Sequence, residues 1–252
     1  MNSSQNSSQN SAAQALATLE ALAQQSRAAH SARFFKTGPG EYGEGDVFWG
    51  IPVPRIRDVA RQYRDLPSGE VSVLFAHPVH EVRVLAVVII TNQFGRLRGA
   101  AEREAAFDFY VNAVRAGYVN NWDLIDISAP TFGAFLVDQV RTTASDASGE
   151  RLLRALAVAE SMWERRLAVL LTFAFIRVGE FGYTLELAAT LLGDKQDLMH
   201  KAVGWMLREV GKRDVDVLRA FLEEHVRQMP RTTLRYAIEK FDEVERKAWL
   251  RK

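Results

Sequence analysis

From Ala13 onward apolar residues recur at three- and four-residue spacing, and hardly any stretch alternates with period two. This pattern predicts helices over residues 13–32, 55–65, 69–76, 79–94, 101–116, 121–127, 130–141, 149–160, 162–178, 182–192, 197–211, 214–227 and 231–249. The breaks between them fall at Gly, Pro, Asp and Ser, which stop and start helices. Strands should be nearly absent and the fold class all-α.

A weak repeat refines that expectation. Arg83-Val84-Leu85-Ala86-Val87-Val88-Ile89, Arg165-Arg166-Leu167-Ala168-Val169-Leu170-Leu171 and His200-Lys201-Ala202-Val203-Gly204-Trp205-Met206 share a basic start and an apolar continuation. The first interval is about twice the second, and the helix beginning near Trp122 falls near its middle. A unit of about 35–42 residues is the length of HEAT-type two-helix repeats. Such pairs bury their faces against neighbours and curve, so an α-solenoid of antiparallel helix pairs with a concave surface is expected.

Residues 1–12, rich in Ser, Asn and Gln, read as a disordered tail, and 13–252 as a single domain. The tail lacks the basic and apolar regions of a signal peptide. Between the first two helices, Lys36 to Asp46 contains four glycines and is either a surface linker or a binding loop. It carries no phosphate-loop signature.

Composition is that of an ordinary globular chain, 48% hydrophobic and 25% charged. The absence of cysteine excludes disulfides, thiolate metal sites and catalytic cysteines, and fits a reducing cytoplasm. The longest apolar runs fall short of the stretch of about 20 residues that spans a bilayer, so no membrane association is expected. A net charge of +1 leaves any polyanionic partner to local basic patches.

Three helices hold candidate chemistry. Trp122 and Asp126, four residues apart, share a helix face, so an aromatic plane and a carboxylate project into one space. Asp126 could instead cap a following helix, although Ser128, before Ala129-Pro130, suits that role better. Arg165 and Arg166 lead an apolar run beside Trp163; they either pair with a neighbouring glutamate or bind phosphate. Lys201, Trp205 and Arg208 lie on one face, either as a core tryptophan flanked by solvated cations or as a nucleic-acid surface. The five histidines match no metal motif, and no metal or cofactor is expected.

The sequence resembles the AlkD-like DNA glycosylases, the HEAT-like repeat branch of DNA alkylation repair proteins. The resemblance rests on Phe48-Trp49-Gly50-Ile51 with Pro54 and Arg57, on Trp122-Asp123-Leu124-Ile125-Asp126 with Pro130-Thr131, on Trp163-Glu164-Arg165-Arg166, and on Lys201-Ala202-Val203-Gly204-Trp205-Met206-Leu207-Arg208-Glu209. These pieces span the chain from about residue 13. The resemblance implies a catalytic aspartate at Asp126, paired tryptophans at Trp122 and Trp205, and an arginine at Arg166, with Arg165, Lys201, Arg208, Phe34 and Arg57 contacting DNA. Two features depart from the family: Phe34 stands where a family member has tyrosine, and the glycine-rich segment before Phe48 is longer.

The implied activity is monofunctional removal of cationic alkylpurines, 7-alkylguanine and 3-alkyladenine, from double-stranded DNA by a cytoplasmic monomer working on the nucleoid. The concave cleft would hold the duplex. The competing classes are a non-catalytic DNA-structure-binding relative, which would be expected to lose the aspartate or tryptophans retained here, and a protein-binding HEAT scaffold.

Overall fold

The structure, a computed structural model, describes residues 10–142 and 148–252; residues 1–9 of the expected tail lie outside the described residues. Fourteen helices and no strand occur among the described residues, the sole β-type pairing being an isolated bridge between Val47 and Val79. Contacts group the chain into two compact units, residues 1–128 and 129–252.

The first unit contains α1 (Ala12–Glu20), α2 (Gln25–Phe34), α3 (Val53–Gln62), α4 (Ser68–Phe75), α5 (His80–Phe94) and α6 (Ala100–Arg115). Helix α5 is its centre, packing on α3, α4 and α6. Its run from Val82 to Ile90 is buried on every side, as expected of a helix apolar all round. Helix α7 (Trp122–Thr142) contains the division between the units.

The second unit holds α8 (Ser148–Ala157), α9 (Met162–Arg177), α10 (Gly182–Thr190), α11 (Asp197–Gly211), α12 (Val215–His225), α13 (Arg231–Ala237) and α14 (Glu243–Arg251). Helix α9 packs on α8, α10 and α11, and α11 packs in turn on α12 and α13. Each helix pair thus rests on the next, the arrangement that defines stacked two-helix repeats.

Three boundaries differ from the hydrophobic pattern. The helix expected over 13–32 breaks after Glu20, because the Gln24 amide donates to the carbonyl of Trp49 at 2.8 Å. Gly50, at φ +75°, permits this approach: a Cβ there would lie 2.4 Å from the Gln24 carbonyl oxygen. Next, the segments 121–127 and 130–141 are one helix that continues through Pro130. Ser128 does not cap a new helix; its hydroxyl donates back toward the carbonyls of Leu124 and Ile125 and meets the Tyr110 hydroxyl at 2.5 Å. An interior proline costs about 3 kcal/mol, and burial of Leu124, Ile125, Ala129, Phe132, Phe135 and Leu136 offsets it. Finally, 231–249 divides into α13 and α14, with Asp242 accepting the Glu245 amide as the second helix's N-cap.

The sequence repeat has a structural counterpart. Arg83 Nη1 donates to the carbonyl oxygens of His77 and Pro78, six and five residues back, while Nη2 pairs with Asp46 at 2.6 Å. Arg165 Nη1 donates to those of Ala159 and Glu160, again six and five back, while Nε pairs with Asp194 at 2.6 Å. His200 Nε2 lies 2.6 Å from the Asp194 carbonyl, six back. The shared basic start is therefore a clamp holding each helix to the loop that precedes it.

Candidate active site

Helix α7 places its first residues as the three- and four-residue spacing requires. Leu124, Ile125 and Ser128 are buried, whereas Trp122 and Asp126 are half-buried on the other face. Phe35 stacks on Trp122 with ring centroids 5.4 Å apart and planes at 17°, and Phe34 meets Trp122 edge-on at 6.1 Å. Phe34 is 60% exposed, a large apolar surface left open beside the tryptophan. An indole, a phenyl ring and a carboxylate one helical turn along thus share a solvent-accessible region of the first unit.

Behind this face lies a charged cluster that the sequence pattern did not reveal. His80, buried at the start of α5, has Nε2 2.8 Å from Asp123 Oδ2 and Nδ1 3.3 Å from Asp46 Oδ2. Its ring stacks on Phe48 at 4.7 Å and lies 4.8 Å from Phe35. Burial alone would lower its pKa, but the Asp123 and Asp46 carboxylates prevail and raise it to about 9, so the ring is an imidazolium at neutral pH. Asp46 is correspondingly held below the usual carboxylate range: burial acts to raise it, and His80 and Arg83 outweigh that. Asn121, fully buried, donates to Asp46 from Nδ2 and accepts the Trp122 amide at Oδ1. The two carboxylates occupy opposite edges of the imidazole and do not converge as metal ligands would. No group of three or more His, Cys, Asp or Glu among the described residues could hold a metal ion.

The glycine-rich segment is anchored at its far end by Asp46. Just beyond it, the buried Glu81 carboxylate accepts the amides of Trp49, Gly50 and Ile51 at 2.7–3.1 Å. The Phe48-Trp49-Gly50-Ile51 motif is thus a structural turn fixed on α5, and it positions Phe48 against His80.

Behind Asp126 in sequence, Ile127 lines a cavity of about 520 Å³ whose other walls are Arg57, Arg61 and Arg64 of α3 and its end, and Val88, Thr91, Asn92 and Arg96 of α5 and its end. Arg61 pairs with Asp58, and Arg64 and Arg96 pair with Asp65, all well exposed. Arg57 is exposed and makes no such pair among the described residues. Exposed pairs of this kind contribute little and exchange readily for phosphate. Tyr110, fully buried below α7, has its hydroxyl pushed far up by burial and by the Asp126 charge, so it remains a neutral phenol.

In the second unit, Arg166 is 4% exposed and donates from Nη1 to the Leu198 carbonyl at 2.8 Å. Arg165, expected to contact DNA, is the clamp described above. Lys201, Trp205 and Arg208 are all half-buried, as their common face requires, while Ala202, Val203, Met206 and Leu207 are buried. Lys201 pairs with Asp197 at 2.7 Å, Arg208 pairs with Glu239, and Trp205 Nε1 donates to Glu209 at 3.3 Å. Gly204 within this string serves packing: a Cβ there would meet Tyr236 Cβ at 2.5 Å and the Thr233 carbonyl oxygen at 2.6 Å on α13.

A family model described as DNA alkylation repair enzyme matches residues 15–241. The chain belongs to this family. Among solved structures, it is similar to a "Predicted DNA alkylation repair enzyme from Enterococcus faecalis", with 17% identity, a TM-score of 0.68, and coverage of 88% of this chain and 97% of that one. That likeness concerns the fold. A search of the curated proteins finds no match. Membership in the DNA alkylation repair enzyme family gives the chain a role in repair of alkylation damage and makes DNA its partner. Within the family frame, Trp122, Asp126, Phe34 and Arg57 all belong to the first unit, and Arg166, Lys201, Trp205 and Arg208 to the second. Asp46, His80, Asn121 and Phe35 are the contributors that sequence reasoning missed.

Proposed function

We propose that this protein is a monofunctional DNA glycosylase that hydrolyses the N-glycosidic bond of cationic alkylpurines, 7-alkylguanine and 3-alkyladenine, in double-stranded DNA. The observation that carries the proposal is the half-exposed Asp126 carboxylate one helical turn from Trp122, with Phe34 open beside that indole.

The chemistry follows from charge. An N3- or N7-alkylated purine is already cationic and leaves as a neutral base, so it needs little acid assistance. Departure of the base builds positive charge on the deoxyribose, as in other oxocarbenium-like transfers. A carboxylate near that sugar stabilises the developing cation and orients the attacking water. Asp126 takes that role. The face of Trp122 packs on the sugar and attracts cationic character, and Trp205 is assigned a contact with the DNA backbone.

Phosphate contacts are assigned to Arg57 and its neighbours in the α3/α5 cavity and to Lys201 and Arg208; Arg166, the arginine that the family resemblance implies, is buried against the Leu198 carbonyl and is left out. Arg165 is left out because its clamp employs Nε and Nη1. The protein acts as a monomer without a metal or cofactor, in the cytoplasm on nucleoid DNA; no helix among the described residues is long and apolar enough to cross a membrane.

Incubation of methylated duplex DNA with the wild type is expected to release 7-methylguanine as free base, and Asp126→Asn to lose at least about a hundredfold in rate with its melting temperature retained. Undiminished release by that variant would overturn the assignment.

A further inference from the structure

The cluster around His80 lies outside the residues assigned to the reaction, yet it touches the element that carries them. We propose that His80 is a positioning residue: as an imidazolium held between Asp46 and Asp123 and stacked on Phe48, it sets the Trp122 ring for the DNA before any DNA is bound. This inference rests on the glycosylase reading for its kinetic consequence, though not for its structural one.

Four contacts carry it. Asp123, immediately after Trp122, takes the Nε2 hydrogen bond at 2.8 Å, so the cation fixes the first turn of α7. Asp46 faces Nδ1 at 3.3 Å, a charge contact rather than a hydrogen bond, so the same cation also attracts the far end of the glycine-rich segment. His80 lies 4.8 Å from Phe35, and Phe35 stacks on Trp122, so the ring also supports the indole through an aromatic column. Asn121 joins the two halves, donating to Asp46 and accepting the Trp122 amide.

The charged groups facing the imidazole are Asp46 from the loop, Asp123 from α7 and Arg83 from its own helix. Arg83 also pairs with Asp46 and holds that carboxylate even when His80 is neutral. Among the described residues Asp123 has no such second cation. Deprotonation leaves one N–H, which the shorter contact keeps on Nε2 facing Asp123, but it removes the positive charge that balances that carboxylate on the α7 side, the side that carries Trp122. The raised pKa of His80 agrees with this geometry, because it keeps the cation present throughout the neutral range.

The test has two arms. Nitrogen-15 NMR of histidine-labelled wild type, with the His80 signals assigned by their loss in His80→Gln, is expected to show both ring nitrogens protonated at pH 7.5; a neutral imidazole would overturn the proposal. In the second arm, base release from a 7-methylguanine duplex is measured for His80→Gln, Trp122→Phe and the double variant. His80→Gln should lower kcat about tenfold to a hundredfold, with a smaller change in duplex affinity, and should add little in the Trp122→Phe background. Independent, multiplying losses would overturn it, since a residue that merely supports the fold has no reason to act through Trp122. Absence of base release by the wild type would refute the glycosylase reading alone, with the NMR arm still deciding on His80.

Discussion

At the scale of single residues, the first unit is organised by buried charges whose partners are distant in sequence. Glu81 accepts three backbone amides, and removing it leaves them without that acceptor. Glu81→Ala should cost about 3 kcal/mol, read as a fall in melting temperature with Phe48 released from His80. The His80 cluster makes a second, pH-dependent prediction. Because the folded-state pKa of His80 is raised from 6.5 to about 9, its contribution to stability is complete below pH 6.5 and is lost as pH rises through 9. Asp46 is lowered from 3.8, so its contribution is present above that value and is lost as pH falls through its folded pKa. Melting temperature against pH should therefore decline on the alkaline side between these limits, and His80→Gln should flatten that decline.

At the scale of helices, periodicity predicted most of what is observed, because most helices bury a stripe written at three- and four-residue spacing. Two of the three misplaced boundaries share one cause. Gln24, which opens α2, is held on the Trp49 carbonyl, and α7 runs through Pro130 because its flanks are buried; both depend on neighbours that local pattern does not encode. The candidate site divides in the same way. Trp122 and Asp126 were legible as a shared face, whereas the Asp46–His80–Asp123 link joins residues 34 and 43 positions apart, and nothing in a lone histidine at a helix start announces it. The repeated basic start was legible as a pattern but not as a clamp. Packing of α11 on α13 gives a further test. Gly204→Val places methyl groups where even a Cβ is 2.5 Å from Tyr236. It should destabilise the second unit by about 1–3 kcal/mol in thermal unfolding.

For the molecule as a whole, a net charge of +1 means that affinity for DNA comes from local arginines and lysines rather than from bulk charge. Affinity for an undamaged duplex should fall steeply with salt, and Arg57→Ala should weaken it for all sequences alike while lowering the logarithmic salt slope by about 1. Fluorescence anisotropy across a salt series measures both. The central claim, that this repair protein excises the base, is tested most directly by the fate of the lesion. A duplex with one 7-methylguanine is incubated with the protein, and both the strand and the small-molecule fraction are weighed by mass spectrometry. The account predicts free 7-methylguanine and an intact strand bearing an abasic site, both absent with Asp126→Asn; a strand restored to guanine with no free base would contradict it.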